Sequence, residues 1–266
     1  MKKPTLLPLA LVIFTITSAS YAGGFTPVPM SMRDTSVMPM QQPMASFTQI
    51  DSIGNFNITI KPITPSSRNS FVINTPMSNN AQIYAVVTNG TLLLRQSPSY
   101  PNPINVTVYM NTLTALNIFG GTNVFGNRVR GSYLRINANT TGTITLNGSI
   151  MLREANIAGP TQLNLSWVYG NTIDLYEYDN AYMNISGNVN MARVKLRNHS
   201  FLDARYLRTG HTWIKTQDYA QAKVIASASV QSYPENYSNV YYYKTPGLIN
   251  RVNSNSGNTL QLGWSR

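Results

Sequence analysis

Glu154 and Asp174 are the carboxyls best spaced for chemistry. They stand 20 residues apart, the period of a repeat in the second half of the chain. If successive repeats stack as neighbouring strands, about 4.8 Å apart, the two carboxyls approach the separation of about 5 Å used by a retaining glycosidase. At gaps of 21 and 20 residues the column continues to Lys195 and Lys215. Two acids followed by two bases also make a surface ladder, each exposed pair worth about 0–1 kcal/mol. The ladder is the favoured reading, because no aromatic subsite pattern accompanies the acids. The rival is a carbohydrate-active enzyme, a polysaccharide lyase or hydrolase, that uses Glu154 and Asp174.

Arg193, Lys195 and Arg197 alternate along one expected strand, so their side chains share a face. Lys215 stacks beside Lys195 one repeat later. Cations at that spacing repel unless an anion or a carboxylate such as Asp174 intervenes. The row is therefore the candidate binding site, and an anionic glycan or lipopolysaccharide its candidate partner. Other groups carry less. Asp174, Glu177 and Asp179 fall close enough to suggest calcium, but Tyr176 and Tyr178 alternate with them as in a strand, and calcium favours a glycine-shaped loop. His199 and His211 lack acidic neighbours in sequence. Met30, Met32, Met38, Met40 and Met44 could meet soft copper, but their spacing is irregular and no His or Cys assists. No metal and no cofactor is expected. Tyr233, Tyr237 and Tyr241 to Tyr243 suggest a cap that closes one end of the fold.

Composition starves most enzyme chemistry of parts. The 266 residues contain no Cys, two His and only 11% charged residues. Disulfides, thiolate metal sites and Cys nucleophiles are excluded, and Asn, Thr, Ser and Tyr carry the polar work. Lys2 and Lys3, the apolar run Leu6–Ile16 and Ser20-Tyr21-Ala22 read as a secretory leader over residues 1–22. Its loss takes the net charge from +11 to +9. The mature chain shows no apolar run long enough to span a bilayer, and no basic run or aromatic signature of a nucleic-acid binder. The expectation is an exported protein of the periplasm, outer surface or extracellular space. Residues 23–48 read as a linker, with Pro27, Pro29, Pro39 and Pro43 among the methionines.

From residue 53 the apolar pattern has period two. Phe56, Ile58 and Ile60 alternate, as do Ile104, Val106 and Val108, and Asn89-Gly90 marks a hairpin between two apolar runs. From about 113 a longer repeat is visible. Ile144, Leu163, Met183, Leu202 and Ala222 recur at gaps of 19 or 20, and so do Leu146, Leu165, Ile185, Ala204 and Val224. A short repeat with apolar pairs suits a β-solenoid, whose coils bury their inner faces only by stacking. A sandwich or barrel of hairpins is the alternative. The leucine-rich frame is not kept.

Ser52-Ile53-Gly54-Asn55-Phe56-Asn57-Ile58, Asn89-Gly90-Thr91-Leu92, Pro103 to Tyr109 and Leu113-Thr114-Ala115-Leu116 resemble the head GIN domain family, described as autotransporter adhesin head domains. The resemblance covers about residues 49–240. It implies a secreted right-handed parallel β-helix and an adhesion-like role, and it brings no catalytic residues. The family's glycine-rich turns are thinned here, with Gly120-Gly121 the one adjacent pair in the solenoid region. The sequence-based expectation is an all-β chain. An antiparallel, strand-rich N-terminal region leads into a single β-helical domain over 49–243, with coils at about 113–240 and a tail over 244–266. Its expected role is a non-enzymatic envelope or surface binding module. Besides the enzyme, a structural assembly subunit is the rival.

Overall fold

The computed structural model describes residues 46–74 and 83–263. All of them belong to the larger of the chain's two units, Pro39–Arg266. The expected leader and nearly all of the Met/Pro-rich linker lie outside the described residues. The chain is all-β, a solenoid of about eight turns.

The regular coils are β8 (Asn123–Thr140), β9 (Thr143–Ala158), β10 (Gln162–Glu177), β11 (Tyr182–Leu196), β12 (Phe201–Thr216) and β13 (Gln221–Pro234). Each bends around corners and pairs in parallel with the next. β10 illustrates the three segments of a coil. Leu163 pairs with Ile144 and Met183, Val168 with Ile150 and Gly187, and Leu175 with Ala155 and Val194. The alternation dictates this arrangement: every second side chain points inward, and the inward ones stack into apolar columns. The column Ile144, Leu163, Met183, Leu202, Ala222 runs as the repeat spacing requires, and all five residues are buried. Leu146, Leu165, Ile185, Ala204 and Val224 are buried beside them.

From β10 onward, coils are linked by turns in which two successive residues take positive φ. These are Asp179-Asn180, Asn198-His199, Asp218-Tyr219, Asn236-Tyr237 and Asn255-Ser256. Asn and Asp tolerate this conformation best among side-chain-bearing residues. The turns also bond to one another: Asn198 donates to Asp179 (2.7 Å) and Asn236 to Asp218 (2.8 Å). His199, Tyr219 and Tyr237 stack ring on ring, with centroids 5.0 and 5.4 Å apart.

The N-terminal strands do not stack in chain order. They are β1 (Gln49–Gly54), β2 (Phe56–Pro62), β3 (Ser70–Asn74), β4 (Ile83–Thr88), β5 (Thr91–Gln96), β6 (Ile104–Met110) and β7 (Leu113–Gly120). β1 lies between β5 and β7, and β2 between β6 and β8, all in parallel. Among the described residues, antiparallel pairing is confined to β3 with β6 and to the β4–β5 hairpin, which turns at Asn89-Gly90. At the other end, β14 (Asn239–Tyr243), β15 (Leu248–Arg251) and β16 (Asn258–Leu262) extend the stack. Tyr242 is buried there. Its hydroxyl accepts from Arg251 (2.6 Å) and lies 3.3 Å from Gln261 Oε1. The late tyrosines therefore divide: Tyr242 closes the core, whereas Tyr237 belongs to the exposed turn stack.

One inward column holds a charge-bearing group. It runs Ala138, Ile157, Glu177, Leu196, Thr216. The Glu177 carboxyl is buried, with no hydrogen-bond partner among the described residues. Burial pushes its pKa well above the usual carboxylate value, while the Met183 backbone amide pulls the other way, short of a hydrogen bond.

Candidate functional site

The third segment of each coil forms a sheet face on which side chains repeat in rows and columns. Outward positions alternate with buried ones along each strand, so Asp174, Tyr176 and Tyr178 share the face, as do Arg193, Lys195 and Arg197. Neighbouring rows are one strand spacing apart, about 4.8 Å.

One column runs Arg135, Glu154, Asp174, Arg193, Trp213, Gln231. The next runs Asn137, Asn156, Tyr176, Lys195, Lys215, Tyr233. This corrects the expected ladder. Glu154 and Asp174 are register partners, but the column continues to Arg193 and Trp213, not to Lys195 and Lys215. Lys195 stands 21 residues from Asp174, whereas the ladder offset there is 19, set by the corner of β11, which is one residue shorter than that of β10. Leu165 pairs with Ile185, 20 residues on, whereas Val168 pairs with Gly187, 19 residues on. The lysines belong to the adjacent column, where Lys195 and Lys215 do stand side by side.

Two of the four expected cations are neutralised. Arg193 donates from Nε and from its terminal nitrogen to the two Asp174 oxygens, at 2.6 and 2.7 Å, and that bond raises its own pKa. Lys215 pairs with Glu235 at 3.0 Å, and Lys215 and Gln217 together hold the Glu235 carboxyl below its usual value despite partial burial. Lys195 and Arg197 have no ion-pair partner among the described residues. The Lys195 ammonium lies 5.6 Å from the Tyr176 ring centroid. Burial raises the Tyr176 pKa first, and the charges of Asp174 and Glu154 add to it.

Four aromatic rings on this face were not picked out as part of the site by the sequence reading: Tyr176, Tyr178, Trp213 and Tyr233. Trp213 and Tyr233 lie 5.7 Å apart, tilted against each other. The signal was present for three of them, since Tyr176 and Tyr178 have the same parity as Asp174 and Trp213 follows Arg193 at repeat spacing, whereas Tyr233 follows Lys215 by only 18 residues. The face is a flat grid of aromatic rings, amides and guanidinium and ammonium groups. It can stack on planar faces and donate hydrogen bonds to anions at regular intervals. A glycosidic acid–base pair fits it less well, because Arg193 occupies both oxygens of Asp174. The three acids considered for calcium do not converge. Asp174 bonds Arg193, Asp179 accepts from Asn198, and Glu177 points into the core.

A family model described as "Putative auto-transporter adhesin, head GIN domain" matches residues 46–246. No curated protein matches the chain. Among solved structures, a "putative adhesin" from Bacteroides fragilis superimposes at TM-score 0.52 and 14% identity, covering 87% of this chain and 98% of its own. A "putative lipid binding protein" from Parabacteroides distasonis gives 0.68 and 11%, covering 83% and 94%. A "putative adhesin" from Parabacteroides merdae gives 0.64 and 10%, covering 82% and 93%. At these identities the likeness is one of fold.

Proposed function

The chain belongs to the head GIN domain family, and from that premise we propose that it is an exported, non-enzymatic binding module of a bacterial envelope or surface that recognises an anionic glycan. The observation that carries the reading is the placement of Lys195 and Arg197, cations without an ion-pair partner among the described residues, in a grid of aromatic rings. Arg193 and Lys215 complete the row, held in place by Asp174 and Glu235. A sulfated or carboxylated polymer laid along the stack meets the same spacing coil after coil. Lipopolysaccharide offers the same chemistry, anionic groups on a sugar backbone, and the lipid-binding label of one structural neighbour is in keeping with it.

The test is a glycan array probed with the mature protein. Lys195→Gln with Arg197→Gln should remove the acidic-glycan signal and leave the thermal transition unchanged. Glu154→Gln and Asp174→Asn should leave binding intact. Turnover of any acidic polysaccharide that vanishes in those two variants would instead establish the enzyme. Loss of assembly without loss of binding in the basic-row variant would favour a structural subunit.

A further inference from the structure

The second segment of the coils has a different character. Its outward column runs Met151, Tyr169, Asn188, Arg208, with Arg130 beside Ser149 one step away. Arg128, Trp167 and Tyr206 stand at the corner leading into this segment, and Tyr133 and Arg153 at the corner leading out. No Asp or Glu occurs in stretches 128–133, 147–153, 166–171, 186–191, 206–212 or 226–232, which carry this face and its two corners. Every acid of the regular coils lies on the other faces, in the turns or in the core. Arg128, Arg130, Arg153 and Arg208 have no ion-pair partner among the described residues.

The aromatics here are held outward. Trp167 is 73% exposed, Tyr133 68% and Tyr206 60%. Trp167 and Tyr133 also sit at positive φ, 64° and 46°, a conformation that disfavours bulky side chains. Trp167 is the extra residue of its corner, for β11 turns the same corner without it. The chain thus carries an indole in solvent at a position where a glycine would be easier.

We propose that this face docks on an anionic lipid surface. Trp and Tyr favour the headgroup level, where one end of the ring is wet and the other apolar. Arginines interspersed with them pair with lipid phosphates, and the absence of carboxylates removes the repulsion that an anionic surface would otherwise meet. A soluble glycan is less suited, because the face has no carboxylate to accept from sugar hydroxyls. This surface is separate from the Lys195–Arg197 face, so docking leaves that face open to its own ligand.

Vesicle co-sedimentation tests the proposal. The mature protein should bind equimolar phosphatidylglycerol–phosphatidylcholine vesicles and not pure phosphatidylcholine. Replacing Arg128, Arg130 and Arg208 with Gln should lower partitioning on the order of a hundredfold. Trp167→Asn, which suits the positive φ, should weaken binding without lowering the thermal midpoint. With Trp213 and Trp264 changed to Phe, Trp167 emission should shift to the blue and be quenched by brominated anionic lipid. Lys195→Gln with Arg197→Gln should leave vesicle binding unchanged. Equal partitioning of wild type and the triple arginine variant overturns the proposal. So does failure to bind vesicles alongside retention of heparin that the same variant loses, which would assign the face to a soluble polyanion.

Discussion

Glu177→Met should stabilise the protein, by an amount that grows with pH. The carboxyl occupies an inward column between Ile157 and Leu196, and neither oxygen has a hydrogen-bond partner among the described residues. Even protonated, an unsatisfied buried polar group costs about 1–3 kcal/mol. Met has similar length and reach, and fills the column with apolar atoms. Below the ordinary Glu value of 4.5, folded and unfolded chains both hold the proton, and only that cost separates the variant from wild type. Above 4.5 the unfolded chain ionises while the folded one, its pKa raised by burial, does not. Wild type therefore loses stability up to its folded-state pKa, with a limiting slope of about 1.4 kcal/mol per pH unit. Asp203 and Glu235 tilt the other way. Burial opposes the Asp203 shift, but hydrogen bonds from Arg205 win and lower its pKa; Lys215 chiefly lowers that of Glu235. Both are shared by variant and wild type, so the difference between the two denaturation curves isolates Glu177. Urea unfolding from pH 4 to pH 8 reads it directly. Glu177→Gln, which cannot ionise but keeps an unsatisfied polar end, should flatten the slope and fall below Met in stability. A Met variant less stable than wild type at neutral pH, or a difference constant across the range, would mean that the Glu177 carboxyl is not an unsatisfied buried group.

Leu165→Ala and Ile185→Ala remove buried side chains from one stacked column; each should cost about 2–5 kcal/mol in chemical denaturation, and losses below about 1 kcal/mol at both would place the register elsewhere. Gly187 sits at φ 147°, where an added Cβ would fall 1.9 Å from the Val168 carbonyl oxygen. Gly187→Ala should lower stability by more than about 1 kcal/mol, and a neutral outcome in a thermal melt would contradict the tight corner. Mass spectrometry of the exported protein should find Gly23 at its N-terminus; retention of residues 1–22 would rule out cleavage.

The repeat was legible because stacking demands it. Period-two alternation selected strands, and gaps of 19 or 20 placed Leu163 over Ile144 and Met183 under it, as the ladders show. What the spacing could not supply was the number of residues at each corner. Trp167 adds one residue in β10 that β11 lacks, so the offset falls from 20 at Leu165 to 19 at Asp174, and Arg193, rather than Lys195 at 21, stands beside Asp174. Stacking order at the N-terminal end was equally hidden. β1 pairs with β5 and β7, and no local pattern in Gln49–Gly54 names partners more than 40 residues away. Of the basic row, the alternation of Arg193, Lys195 and Arg197 was legible, but the neutralising contacts of Asp174 and Glu235 arise between coils. Glu177 shares a sequence stretch with Asp174 and Asp179, and the same alternation that exposes Tyr176 and Tyr178 turns its carboxyl inward.

The Lys195–Arg197 face should bind an acidic glycan. Calorimetric titration of the mature protein with a sulfated oligosaccharide, at 50 and 200 mM salt, tests it most directly. Affinity should fall with salt as screening shortens the Debye length, and Lys195→Gln with Arg197→Gln should remove both the binding and its salt dependence while the melting curve stays in place. Equal affinity of variant and wild type at both salt concentrations would contradict the claim.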